Sequence, residues 1–291
     1  MTFPAGREAN HLLNKVPEVT LAFWTIKVLA TTVGETGADY LAVHMGLGTV
    51  LTGGIMAALL AAALTLQLRA RAYVPWIYWL SVVLVSVVGT QITDALSDKL
   101  DVSLYTSTAI FALLLATTFV AWSAIERTLS VHTINTRRRE LFYWAAILFT
   151  FALGTAAGDL ATEALNLGFQ VGVLVFGGLI AAVALAYYLG ANAVLTFWLA
   201  YILTRPLGAS LGDLLSQSRP NGGLGLGTIQ TSAAFLLVIT ALVAAVSIRP
   251  SGGGRQPKAP AEGARPGMSR RPRHHIHLPL AFPLPAGGDT T

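Results

Sequence analysis

The chain has 291 residues, of which 54% are hydrophobic and only 11% charged, and its formal net charge is +5. Soluble domains carry roughly a quarter charged residues, so this composition excludes an ordinary soluble protein and points to repeated membrane spans. The absence of cysteine excludes disulfides and thiolate metal sites. The basic residues fall in loops and a tail, which argues for membrane topology and against a nucleic-acid partner.

In chain order, "MTFPAGREANHLLNKVPEV" is polar and lacks the basic, apolar, small-residue order of a cleavable signal. Residues 1–17 are therefore read as a cytoplasmic segment, and the first apolar run as a retained span. A span needs about 20 mostly apolar residues. Eight runs satisfy this, near 19–43, 46–68, 76–97, 103–125, 141–163, 168–189, 194–217 and 225–248. They are too long for strands, and lipid leaves no backbone group unpaired, so each is a helix. Arg7, Lys15, Arg69, Arg71, Arg127, Arg137, Arg138, Arg139 and Arg249 lie on one side, and only Lys99 and Arg219 on the other. The positive-inside rule then places both termini in the cytoplasm, with the protein multi-pass in the inner (plasma) membrane. Residues 250–291 are rich in Pro, Gly and Arg and are expected to form a disordered basic cytoplasmic tail. Within it, His274, His275 and His277 offer weak ligands for a transition metal or, equally, simply lie near anionic lipid.

Aligned on tryptophan, four segments read "WTIKVLATTVGETGAD", "WLSVVLVSVVGTQITD", "WAAILFTFALGTAAGD" and "WLAYILTRPLGASLGD". Each fits W-x9-G-x4-D without a gap, on Trp24, Gly34, Asp39; Trp79, Gly89, Asp94; Trp144, Gly154, Asp159; and Trp198, Gly208, Asp213. The membrane domain, 18–249, thus divides into repeats of about 18–70, 74–126, 139–190 and 193–249. Each repeat contains two spans, so all four point the same way, as in parallel repeats about an axis along the membrane normal. The expected fold is an all-α polytopic membrane protein of eight transmembrane helices, arranged as four parallel-repeat helical hairpins. The bundle is pseudo-fourfold or made of two pseudo-twofold pairs. This four-unit pattern resembles a bacterial family of membrane-anchored proteins built from a two-span repeat of unknown function. The resemblance covers about residues 15–248, and the second unit departs from it in carrying Thr93 before its Asp. It implies the fold and no particular activity.

The repeated tryptophans are read as interfacial anchors. If they mark the cytoplasmic boundary, each Asp lies about 22 Å further along its helix at 1.5 Å per residue. Gly34, Gly89, Gly154 and Gly208 are followed four residues on by Ala38, Thr93, Gly158 and Gly212, a small-xxx-small pattern that lets helices approach closely. Asp39, Asp94, Asp159 and Asp213, with Glu35 and Glu163, are intramembrane carboxylates, which face a bundle interior and mark function by default. Capping of neighbouring helices is the structural alternative. Oxygen ligands in this number suit protons or hard cations such as manganese, magnesium or calcium, and His44 offers an additional nitrogen. Lys27 is expected to snorkel to the cytoplasmic surface. Arg205, ahead of Pro206 in "LTRPLG", breaks the fourfold pattern and is assigned charge balance, pairing with Glu35 or Asp213, or a gating role.

The leading functional expectation is a secondary transporter or exporter of a small cation, such as a hard divalent metal, using the carboxylates of the odd helices. Asp39, Asp94, Asp159 and Asp213 are the metal candidates. The alternatives are a structural membrane scaffold or uncoupled channel and, less favoured because the full GxGD pattern is missing, an intramembrane aspartyl protease. No GxxxxGK[ST] motif is present, so ion coupling is favoured over ATP hydrolysis. Neither an enzymatic activity nor a cofactor is implied. The partners are the lipid bilayer and the cation itself.

Overall fold

A computed structural model describes residues 14–44 and 49–248. The expected C-terminal tail, most of the N-terminal segment, and the side chains of Asp39, His44 and Glu163 lie outside the described residues. Eight long helices follow one another: α1 Leu21–His44, α2 Thr49–Arg69, α3 Pro75–Asp94, α4 Leu104–Glu126, α5 Arg137–Asp159, α6 Gly168–Tyr188, α7 Ala193–Ser216 and α8 Thr228–Ile248. Their starts are written locally. Pro75 occupies the first turn of α3, where its missing N–H costs nothing. Ser103, Thr136 and Asn192 accept backbone N–H bonds at the N-termini of α4, α5 and α7. Helix α7 runs unbroken through Pro206.

Odd and even helices have different surroundings. In α3, α5 and α7, 61–67% of the most apolar window is buried, against 11–22% in the even helices. In α4 the buried residues reduce to one stripe, Ser107, Phe111, Leu115 and Trp122, and the rest of its surface is apolar and exposed. Such a helix is stable only with lipid around it. Among the described residues, seven helices are long and apolar enough to cross a membrane, α1 being set apart by Lys27, Glu35 and Asp39. The protein is a helical membrane bundle.

The odd helices form a closed inner ring, α1 against α3, α3 against α5, α5 against α7, and α7 against α1. Glycines close it. A Cβ added to Gly34 would overlap Ser86 of α3, to Gly89 Phe151 of α5, to Gly154 Arg205 of α7, and to Gly208 Thr31 of α1. Each contact joins the repeat glycine to the residue seven places after tryptophan in the next odd helix. The relation is the same at all four joints, and this is what a pseudo-fourfold ring requires.

Around the ring, the even helices are displaced by one position. Helix α2 packs on α3, α4 on α5, α6 on α7 and α8 on α1, whereas α2 barely touches α1. The unit of sequence repetition and the unit of packing are therefore offset by one helix, and α8 closes the circle onto α1.

Charge separates the two ends. At the end where the odd helices begin lie Lys15, Arg69, Arg71, Arg127, Arg137, Arg138 and Arg139. This end is tied across repeats. The Lys15 ammonium, 2.6 Å from Glu140, also donates to the Leu68 carbonyl, and Gln67 donates to Glu140 at 3.2 Å. Glu126 takes both Arg138 and Arg139. The far end carries Asp94, Asp101, Asp159 and Asp213 with Lys99 and Arg219. There, Asp94 and Asp159 are each followed by a single π-helical turn, Ala95–Lys99 and Leu160–Ala164.

Candidate functional site

Counting from each tryptophan, the residues facing the axis of the ring recur one turn apart and stack in layers. The layer just before tryptophan is aromatic: Phe23, Tyr78, Tyr143 and Phe197. Each of these rings meets the tryptophan of a neighbouring odd helix, Phe23 with Trp79 at 5.6 Å, Tyr78 with Trp144 at 5.7 Å, Tyr143 with Trp198 at 6.3 Å and Phe197 with Trp24 at 5.6 Å between centroids. The Tyr78 and Tyr143 hydroxyls share a 2.5 Å hydrogen bond. Contrary to the expectation of interfacial anchors, Trp79, Trp144 and Trp198 are buried. They sit on the inner helices, where a residue repeated at one register meets its counterparts and the covering helices, not headgroups. The dipeptides FW, YW, YW and FW in the sequence carry this ring, and the W-x9-G-x4-D pattern passed over their first members.

One turn further in come Lys27, Val82, Ile147 and Tyr201, all fully buried. Lys27 does not snorkel. Its Nζ lies 4.0 Å from the Phe151 ring centroid and 4.3 Å from that of Tyr201, and makes no hydrogen bond among the described residues. Lys27 cannot reach the surface because the aromatic layer closes the bundle between it and the basic end. Its charge is met by ring faces instead.

The next two layers form the centre of the site. Thr31, Ser86, Phe151 and Arg205 occupy one, and Glu35, Thr90, Thr155 and Ala209 the other, all buried. From α7, Arg205 reaches every other odd helix. Its Nη2 donates to Glu35 Oε2 of α1 at 2.6 Å, to Thr155 Oγ1 of α5 at 2.7 Å, and to Thr90 Oγ1 of α3. Its Nη1 donates to the Thr31 carbonyl at 3.2 Å. Of the two partners that the sequence offered for Arg205, Glu35 is the one in contact. Thr90 also donates toward Glu35 at 3.5 Å. A single guanidinium thus joins four helices, and Gly154 is what lets it through, since a Cβ there would occupy the stem of Arg205.

The repeated aspartates lie a further turn outward. Asp94 and Asp159 are half-buried and Asp213 is buried, beside a small-residue layer of Thr93, Gly158 and Gly212. Among the described residues, no three His, Asp or Glu side chains come close enough together to hold a metal ion. The described part of the site is an ion pair with hydroxyls at mid-depth, with Asp94, Asp159 and Asp213 nearer the acidic end. Gly34, Gly89, Gly154 and Gly208 lie at the joints of the inner ring.

Fold and site together define a polytopic membrane protein of four tandem repeats with a buried ionic centre on its repeat axis. The description Repeat of Unknown Function (DUF347) matches the chain four times, over residues 22–73, 77–128, 142–191 and 196–249, and the chain belongs to this family. No curated protein and no solved structure matches it.

Proposed function

We propose that the protein is a secondary transporter of a small cation, in which the cation competes with Arg205 for Glu35. The observation that supports this reading is the single guanidinium shared by all four inner helices. A cation arriving at Glu35 neutralises the carboxylate that holds Arg205. Once released, Arg205 withdraws from Thr90 and Thr155 together, so occupancy of one carboxylate is felt by α3 and α5 as well as α1. That is a differential contact between two states, as any ligand-driven change requires. Asp39, Asp94, Asp159 and Asp213, with Glu163, supply the negative end that draws the cation in, and their hard oxygens suit a proton or an ion such as manganese. Of the two cations buried in the inner layers of the bundle, Lys27 and Arg205, Lys27 is the one able to give up a proton, because a guanidinium keeps its charge. Lys27 is therefore the coupling group, and both termini lie on the cytoplasmic side.

Flux measured in proteoliposomes and growth across a panel of divalent metals and pH test this proposal, on wild type beside Glu35→Gln, Asp94→Asn, Asp159→Asn and Asp213→Asn. The expected outcome is folded protein with flux reduced tenfold or more in Glu35→Gln. No metal- or pH-dependent difference between cells with and without the protein would sink the proposal. A scaffold would instead show no flux in wild type, whatever the variants do to stability.

A further inference from the structure

The basic end carries more positive charge than its acids match, and the excess converges on one cleft. This cleft, of about 460 Å³, lies where α2 ends and α5 begins, and is lined by Lys15, Arg69, Arg71, Asn135 and Arg137 with the backbone of Leu68 and Ala70. Among the described residues no carboxylate lines it. Glu140 already holds Lys15, Glu126 holds Arg138 and Arg139, and Glu18, the remaining described acid near this end, is exposed and outside the lining. Arg69, Arg71 and Arg137 are exposed and have no acidic partner among the described residues.

The backbone adds to this field. The negative end of α2 is covered, since the Leu68 carbonyl accepts from Lys15 and those of Leu66 and Gln67 accept from the Ala70 N–H. The positive end of α5 is only partly covered, Thr136 Oγ1 taking the Arg139 N–H and leaving the N–H groups of Arg137 and Arg138 without helical acceptors. Three planar forks and a helix N-terminus around one cleft match the oxygens of a phosphate group, which guanidinium binds in bidentate fashion. The cleft also sits at helix termini, the level at which headgroups meet a spanning bundle.

We infer that this cleft is a binding site for a phosphate group, carried by an anionic phospholipid or by a free phosphate anion. The inference is independent of the transport reading. It is tested on the purified full-length protein in detergent by thermal unfolding and native mass spectrometry, with phosphatidylglycerol, phosphatidylcholine and inorganic phosphate as separate additions. Phosphatidylglycerol should raise the melting temperature saturably by several degrees and give discrete adducts. The combined variant Arg69→Gln, Arg71→Gln, Arg137→Gln should abolish both, and Arg127→Gln, outside the cleft, should retain them. Arg71→Gln alone should weaken apparent affinity at least fivefold, a readout available even if the combined variant folds poorly. Inorganic phosphate that shifts the melting temperature and displaces the lipid identifies free phosphate as the source, and lipid binding unaffected by it identifies the headgroup. Equal effects of phosphatidylcholine and phosphatidylglycerol, or full retention of binding in the arginine variants, would overturn the inference.

Discussion

A guanidinium enclosed by four helices depends on its buried partners, and Arg205 has one carboxylate, two threonine hydroxyls and a backbone carbonyl, although its Nε finds none among the described residues. Removing one partner of such a buried pair strands the other charge, at a cost of about 3–5 kcal/mol. Arg205→Met should therefore lower the midpoint of unfolding in detergent far more than Arg205→Met combined with Glu35→Gln, and the double variant should recover much of the loss while remaining inactive. Lys27 behaves differently. It has ring faces and no carboxylate, so Lys27→Met, close in volume, should leave the unfolding midpoint unchanged or raised. Loss of flux in that variant with stability retained would mark Lys27 as functional, and unchanged flux would remove it from the mechanism. Arg205 was visible in the sequence as the one member of its layer that broke the fourfold pattern. Asp213 shares its helix but stands eight residues on, about 12 Å along the axis, so spacing disfavours it. The reach to Glu35 depends on the stagger between α1 and α7, which no spacing gives.

At the scale of the elements, the four glycine joints explain why the sequence repeats where it does. Gly208 sits against Thr31 and Gly34 against Ser86 closely enough that neither tolerates a methyl group. Gly208→Ala and Gly34→Ala should each destabilise by about 1–3 kcal/mol through overpacking. Gly53→Ala and Gly178→Ala, where a Cβ meets nothing within 4 Å, should be neutral or stabilising by about 0.5–1 kcal/mol. The contrast is read by unfolding each variant in the same detergent. The helices and their order were legible in advance, because a lipid-spanning run of 20 apolar residues has one solution. The inward-facing layers were legible only in part: Glu35 was placed toward the bundle interior, whereas Lys27, of the same face, was expected at the surface. What the sequence could not carry was the partner of each even helix. Those helices are apolar all round, with buried stripes as short as Gly172 and Phe176 in α6, and a uniformly apolar surface names no neighbour. For the same reason the tryptophans were misplaced: an aromatic at a span terminus reads as an interfacial anchor unless its helix is known to be inside.

At the scale of the whole molecule, the offset of one helix makes a contact that adjacent hairpins would lack. Thr36 of α1 and Ser232 of α8 share a 2.6 Å hydrogen bond between their hydroxyls, although 196 residues separate them. The natural chain has no cysteine, so a pair introduced as Thr36→Cys and Ser232→Cys forms a clean reporter. Mild oxidation should join them intramolecularly in high yield, seen as one band after cleavage of the chain between the second and third repeats. Failure to join in folded protein would refute the closed circle.

That contact also fixes how α1 and α8 lie. Thr36 lies in the second half of α1 and Ser232 near the start of α8, so the two run antiparallel and Ile248 comes to the same end of the bundle as Leu21. The first of the eight long helices thus waits for the eighth before its outer face is covered. A bundle closed on itself in this manner has no privileged starting point. Circular permutation, with Ile248 joined to Leu21 by a short linker and new ends opened between α2 and α3, would put every helix back among the same neighbours.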